Sequence, residues 1–332
     1  MKTILVNASA ANTGGAETIL RTFVSEIKKE TQYKFVILSP HKFNLAEKHI
    51  TFEYAKTSGF KTVWFTIKGI GKYVKKYSPN KIISFNNLNY IFKPGIGITY
   101  FHQPKALEKG YSDVKIKVYQ FIISKFLKKN TFIVQSEYIR NKFLKMFNYE
   151  EDEVISCWPG FIIPKQDTSL NSKISSNFKH KGLLPIAYAS PHKNVKSLEE
   201  IYGFLEENNI EITTLLNPAN NYLSASKNIN SIGAITRQQL FGLYKDIDFL
   251  IFTSKDETVG LPIFEFLQTG KPAFVYAADY AIEFNKQFGN PENLVLFKDA
   301  EEFKTLFLQK INCTSKPFDY SKGEWYKIID LI

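Results

Sequence analysis

The sequence predicts an α/β protein of two doubly wound, Rossmann-like domains, on three observations. The chain has 332 residues, more than one hydrophobic core ordinarily serves. Short continuous apolar runs alternate with helical periodicities, the pattern of parallel sheets covered on both faces. The alternation stops at a Ser-, Asn- and Lys-rich stretch, 165–181, and then begins again, so this stretch reads as a linker. The expected domains are 1–165 and 182–332, with the last helix a candidate to pack back on the first.

In the first series, residues 2–8 read as a strand, followed by the loop Ala11-Asn12-Thr13-Gly14-Gly15. A helix over 16–29 gathers Ile19, Leu20, Phe23, Val24 and Ile27 on one face. Strands follow at 35–38, 82–85, 96–101 and 131–136, with helices over 62–77 and 114–128. In the second series, strands are expected at 185–189, 212–216, 249–252 and 272–275. Helices are expected at 195–207, 237–244 and 262–269. Sheets of this kind bind ligands outside the carboxyl ends of their strands, and two of them around a hinge place a cleft between those ends.

Composition narrows the class. At 44% hydrophobic and 23% charged the chain reads as an ordinary soluble globular protein. No apolar run approaches the roughly 20 residues that span a bilayer. The apolar part of residues 1–7 is too short for a signal peptide and reads as the first strand. Cys157 and Cys313 offer neither a disulfide framework nor metal-ligand spacing, and a reducing cytoplasm is the expected setting. Charge is unevenly placed. Residues 1–165 carry 26 Lys and Arg against 12 Asp and Glu, a net of +14, while the remainder carries 17 against 20, a net of −3. The first half therefore suits an anionic partner. Nucleic acid and an anionic membrane surface both fit the charge, but no basic-aromatic recognition motif supports nucleic acid.

The most informative stretch runs from Thr253 to Glu265. It follows a buried strand and opens a helix, with Pro262 suited to the first turn. Backbone N–H groups at Val259, Gly260 and Leu261 then face outward at the positive end of the helix, a fit for a diphosphate. Gly260 lets a ligand approach the backbone closely. Glu257 precedes the helix and Glu265 lies inside it, so both can accept hydrogen bonds from hydroxyls of one anchored ligand.

On these residues the chain resembles the family-4 retaining glycosyltransferases of the GT-B fold, of the bacterial surface-polysaccharide type. Their E-x7-E pattern is reproduced by Glu257 and Glu265, with Ser254 before it and Gly260-Leu261-Pro262 between. Thr269-Gly270-Lys271-Pro272 follows ahead of the next strand. Other segments agree along nearly the whole chain. Asn12-Thr13-Gly14-Gly15-Ala16-Glu17 is similar to the family's glycine-rich first loop, and Val134-Gln135-Ser136 to its V-x-S strand. Trp158-Pro159-Gly160 matches a P-x-G-like segment ahead of the interdomain linker, with one residue missing. Ser231-Ile232-Gly233-Ala234-Ile235 resembles the loop that flanks the nucleobase. Lys193-Asn194 matches a basic position that neutralises the leaving diphosphate. The family's Arg just upstream is absent, since Ala189-Ser190-Pro191-His192 stands there. His102, in Tyr100-Phe101-His102-Gln103-Pro104, matches a histidine that bonds a sugar hydroxyl or the acceptor.

The resemblance implies transfer from a nucleoside-diphosphate sugar, a UDP-sugar favoured, with retention at the anomeric carbon. The acceptor is expected to be a glycan or a lipid-linked intermediate of lipopolysaccharide or capsule synthesis. The setting is the cytoplasm, with peripheral contact at an anionic inner membrane face. Glu257, His102 and Lys193 are the expected catalytic residues. Gly14, Gly15, Lys193, Gly233, Ile235, Thr258, Val259, Gly260, Leu261 and Glu265 are the expected donor-binding residues. Asp246-Ile247-Asp248 has the D-x-D form of a metal site, but it falls between a helix and a strand and reads as turn chemistry. No metal and no cofactor are expected. A non-catalytic nucleotide-sugar-binding protein of degenerate GT-B fold is the alternative, and the missing Arg favours it.

Overall fold

A computed structural model describes the chain except for residues 13, 44, 45, 111, 171–176, 221, 222, 224 and 225. It divides into two compact units, Met1–Ile162 with Lys322–Ile332, and Ile163–Ser321. The sequence counts 322–332 with the second domain while offering the last helix as a candidate to pack back on the first; these residues belong to the first unit. Trp325 and Ile328 are buried in that unit's core. Glu324 accepts the backbone N–H of Trp158 at 2.9 Å, and Lys327 donates to the Ser156 carbonyl at 2.9 Å. Phe23, Phe85 and Tyr100 pack around the Trp325 ring at centroid distances of 5.4, 6.3 and 5.7 Å. Each such contact adds about 0.5–1.5 kcal/mol to the area buried.

Among its described residues the first unit is built on seven strands: β1 (Lys2–Asn7), β2 (Tyr33–Ser39), β3 (Ile50–Tyr54), β4 (Lys81–Ser84), β5 (Gly97–Tyr100), β6 (Thr131–Val134) and β7 (Val154–Ser156). All neighbours are parallel, in the order β3-β2-β1-β4-β5-β6-β7. Its helices are α1 (Gly14–Ile27), α2 (Gly59–Trp64), α3 (Gly71–Tyr77), α4 (Val114–Phe126), α5 (Glu137–Phe147) and a short C-terminal helix, Tyr326–Ile329. The helix expected over 62–77 is interrupted by a π-helical turn, Phe65–Gly69. That turn holds the Thr66 hydroxyl among buried side chains, where it accepts from the amides of Asn7 and Asn86 at 3.2 and 3.1 Å.

Among its described residues the second unit has six parallel strands: β8 (His180–Leu184), β9 (Ile210–Thr214), β10 (Ile229–Ser231), β11 (Phe249–Phe252), β12 (Ala273–Tyr276) and β13 (Leu294–Phe297). Their order is β10-β9-β8-β11-β12-β13. Its helices are α6 (Tyr202–Glu207), α7 (Arg237–Leu243), α8 (Leu261–Leu267), α9 (Asp279–Gln287) and α10 (Ala300–Lys310). The strand expected at 185–189 lies instead at His180–Leu184. Pro185 has no N–H for a central ladder, so the strand ends before it. Gly182 lies against Phe249 and Ile212, where an added Cβ would collide with the Phe249 ring. The helix expected over 195–207 begins as a 3-10 segment, Val195–Ile201, before α6.

In each unit the strand order reverses once, between β1 and β4 and between β8 and β11. The crevice beyond the carboxyl ends of the strands at such a reversal is where a doubly wound sheet offers a ligand site.

Candidate functional site

The reversal in the second unit carries charge. Past β11, the segment 253–256 is sewn to the segment 190–194 that lies beyond β8. Thr253 donates its hydroxyl to the Lys193 carbonyl at 2.8 Å, Lys255 its N–H to the His192 carbonyl at 2.7 Å, and Ser254 its hydroxyl to that carbonyl at 3.3 Å. Tyr280 holds the Ser254 carbonyl at 3.0 Å from α9. This stitching brings two expected site residues together: Lys193 Nζ lies 2.5 Å from Glu257 Oε1, with side chains 13% and 16% exposed. The ammonium also stands over the Tyr188 ring at 5.7 Å. A mostly buried ion pair at a switch point is costly to build and keeps both charges aimed.

Beyond Glu257 the chain enters α8 through Gly260, whose φ of +65° is left-handed backbone that glycine adopts without strain. A Cβ there would meet Ile263 at 3.0 Å and Glu257 Cγ at 3.9 Å. Val259 and Gly260 are buried, Thr258 and Leu261 half-buried. Among the described residues, no acceptor is found for the backbone N–H groups of Val259, Gly260 and Leu261. The helix is short, at 7 residues.

Glu265 faces the interior of the unit and is almost fully buried. Its Oε1 lies 2.5 Å from Nη2 of Arg237, and its Oε2 accepts the Tyr244 hydroxyl at 3.2 Å. Burial raises its pKa above the ordinary carboxylate value, while the Arg237 charge and the two contacts pull the other way. The sequence reading missed Arg237 and Tyr244. Thr236 begins α7 with a capping box, accepting the Gln239 N–H at 3.3 Å, which sets Arg237 in the first turn. The helix period then puts Phe241 and Tyr244 on the same stripe, and the guanidinium sits over the Phe241 ring at 5.1 Å. Gly233 (φ +78°) and half-buried Ile235 lie just ahead of this helix, with the Gly233 N–H bound to the Leu216 carbonyl at 3.1 Å.

Asp248 clasps β8 to β11: its carboxylate accepts the Lys181 N–H at 2.8 Å, and its own N–H donates to the Lys181 carbonyl at 2.8 Å. Lys271 covers the nearby carbonyls of Lys245 and Ile247 at 2.7 and 2.6 Å. Asp246-Ile247-Asp248 is thus occupied as a turn.

The reversal in the first unit is neutral. Asn86 donates to Ser9 and Thr66 at 3.0 and 3.1 Å and accepts the Ala10 N–H at 3.3 Å. Ser9 meets Thr57 at 3.1 Å, and Thr62 donates to Thr57 at 3.1 Å. His102, just past β5, donates its backbone N–H to Asn87 Oδ1 at 2.6 Å. Its Nδ1 is buried and has no partner among the described residues. Burial lowers its pKa to about 4, so the ring is neutral at physiological pH. Gly14 (φ +67°) and Gly15 open α1 and are exposed; Thr13 of the same loop lies outside the described residues. Ser136, of the V-x-S segment, caps α5 by accepting the Ile139 N–H at 3.3 Å.

No protein-family model matches the chain, and no curated protein sequence matches it. Solved structures do. WaaG, a glycosyltransferase involved in lipopolysaccharide biosynthesis, superposes with a TM-score of 0.67 at 14% identity, over 93% of this chain and 90% of WaaG. HepE of Anabaena, in complex with UDP and glucose, gives 0.64 at 17% identity, over 100% and 95%. The UDP-GlcNAc 2-epimerase of Methanocaldococcus jannaschii gives 0.60 at 12% identity, over 100% and 99%. The chain has the GT-B fold, two parallel-sheet α/β domains, shared with glycosyltransferases. At these identities the likeness is one of fold, and chemistry is argued from the site.

Proposed function

We propose that the chain is a glycosyltransferase that moves a sugar from a nucleoside-diphosphate sugar, a UDP-sugar favoured, to a glycan or lipid-linked acceptor. The carrying observation is the Lys193–Glu257 pair at 2.5 Å, set at the switch point beside the backbone N–H groups that lead into α8. Lys193 and those N–H groups suit a diphosphate, and Glu257 suits the hydroxyls of the sugar attached to it. Glu265 is assigned the ribose hydroxyls, and Gly233 and Ile235 the flank of the nucleobase.

In the proposed reaction the bond from the anomeric carbon to the diphosphate oxygen breaks. The acceptor oxygen bonds that carbon from the same face, with retention. A phosphate oxygen takes the acceptor's proton, and the nucleoside diphosphate leaves with its added charge met by Lys193. His102, neutral through burial, serves as a hydrogen-bond partner for a sugar or acceptor hydroxyl rather than as a charged acid. No metal is assigned a role.

The acceptor side is assigned to the first unit. Phe60, Trp64, Phe121 and Phe126 are exposed there, on α2 and α4, beside Lys61, Lys68, Lys117 and Lys125. No described helix is long and apolar enough to cross a membrane. Each basic residue near an anionic leaflet contributes about 1 kcal/mol, so peripheral, salt-sensitive attachment fits this face.

A second reading is a nucleotide-sugar-binding protein without turnover, favoured by the absence of an arginine in Ala189-Ser190-Pro191-His192. Incubation with UDP-, GDP-, dTDP-, CDP- and ADP-sugars separates the two. Release of nucleoside diphosphate above the uncatalysed rate, undiminished by EDTA, is the expected result. Binding of a nucleotide sugar without any release supports the second reading.

A further inference from the structure

We infer that Arg237 is the positioning residue of the nucleoside pocket, its guanidinium holding the Glu265 carboxylate as a fixed acceptor for a ligand diol. The inference rests on the donor-site reading above.

Glu265 has a side chain 1% exposed, and its Oε1 lies 2.5 Å from the guanidinium. An isolated carboxylate buried that deeply would give up its charge by taking a proton. Among the described residues, the other groups around it do not supply a countercharge. Tyr244 offers a neutral hydroxyl to Oε2, and burial raises its own pKa well above the ordinary tyrosine value. The strands against which α8 packs contribute Phe249–Phe252 and 273–275, all apolar, while Tyr276 faces Lys255 at 5.9 Å.

The guanidinium is itself held from two sides. The Thr236 capping box fixes the backbone of the first turn of α7, and the Phe241 ring lies 5.1 Å beneath the charge. An ionised carboxylate has about four acceptor positions; the Tyr244 hydroxyl uses one on Oε2, and Arg237 meets Oε1 as an ion pair without hydrogen-bond alignment, which leaves capacity for two ribose hydroxyls. Arg237 is 29% exposed, whereas Tyr244 on the other oxygen is buried. It also follows two residues after Ile235, in the segment assigned to the nucleobase. A ligand that reaches Glu265 therefore meets Arg237 on the way.

Burial raises the Glu265 pKa and Arg237 lowers it. Replacing Arg237 by glutamine lets the pKa rise further, so the carboxyl takes a proton at a higher pH. The variant should lose the charged acceptor progressively as pH falls. In the same window its stability relative to wild type should recover, because a protonated Glu265 no longer needs the guanidinium.

The test is calorimetric titration of the full chain with UDP, GDP, ADP and CDP, and with their 2′-deoxy counterparts, at pH 6 and pH 8. Wild type, Arg237→Gln and Arg237→Lys are compared, with thermal melts of each in parallel. Wild type should bind one ribonucleotide in preference to its 2′-deoxy form at both pH values. Arg237→Gln should bind that ribonucleotide at least about tenfold more weakly. It should also lose the preference, most completely at pH 6, and melt closest to wild type at pH 6. Arg237→Lys should recover part of both properties. Unchanged or tighter binding by Arg237→Gln overturns the inference, the tighter case identifying Arg237 as a plug over Glu265. A melting deficit equal at both pH values, with the 2′-hydroxyl preference intact, also overturns it and leaves only a structural ion pair. Wild type that binds no nucleoside diphosphate overturns the donor-site reading, and this inference with it.

Discussion

The two strand-order reversals share a topology and differ in chemistry. Between β1 and β4 the buried groups are amides and hydroxyls, Asn7, Ser9, Thr57, Thr66 and Asn86, bonded largely to one another. Between β8 and β11 stand the charges Lys193 and Glu257, with Arg237 and Glu265 nearby on α7 and α8. A satisfied neutral network fixes loop geometry at low cost, because no charge loses its water. Buried ion pairs are harder to justify by stability alone, since desolvation offsets most of their attraction. The charged reversal is therefore where function is to be sought first, and the neutral one reads as a rigid floor.

The largest expected effect breaks the charged side. Lys193→Ala leaves Glu257 without its partner and should destabilise the second unit by about 3 kcal/mol. Denaturant unfolding of the full chain, followed by a probe in each unit, checks this. The double variant Lys193→Ala/Glu257→Ala should regain part of the loss, and equal losses in both variants would contradict the coupling. Next come the two glutamates with a bound donor. Glu265→Ala should weaken binding and Glu257→Ala should chiefly lower turnover, each by about 1.5–3 kcal/mol. Steady-state kinetics with the true donor decide it, and near wild-type values for both would sink the assignment. On the neutral side, Asn86→Ala strands the Ala10 N–H and removes one donor each from the Ser9 and Thr66 hydroxyls, which keep Thr57 and Asn7, costing about 1–3 kcal/mol of stability. Donor affinity should be unchanged. A matching fall in affinity would mean that the two regions are not the separate things described above.

The smallest effect concerns pH. His102 in the folded chain has a pKa of about 4, below its ordinary 6.5. The unfolded chain therefore binds this proton first as the solution is acidified. The contribution of His102 to stability is whole above about pH 6.5 and is lost as pH falls towards 4. Comparing melts of wild type and His102→Gln between pH 7.5 and 4.5 should show the wild type losing more on acidification. Parallel curves would place a charged histidine in the folded chain.

Much of this was legible in the sequence. Phe249–Phe252 and Pro262 signal strand and helix start by local chemistry alone, and the structure has each in place. The fold follows from the same alternation. What was not legible depends on contacts distant in the chain. Pro185 stands in an apolar stretch and drew the expected strand five residues too late. Arg237 and Glu265 are 28 residues apart, on α7 and α8, and meet only in the folded unit, so no spacing rule announces the pair. Phe121 and Phe126 are exposed on α4, their rings 5.8 Å apart, an arrangement that their apolar chemistry does not announce. The π-helical turn at Phe65–Gly69 depends on where Asn7 and Asn86 lie and has no signature of its own in the sequence.

The central claim is that the charged reversal of the second unit holds a diphosphate. Calorimetric titration of UDP and of uridine into wild type and Lys193→Ala tests it most directly. The account predicts that wild type binds UDP much more tightly than uridine, and that Lys193→Ala loses about tenfold or more for UDP with little change for uridine. Equal affinity of wild type for UDP and uridine, or a Lys193→Ala variant that binds UDP as wild type does, would contradict it.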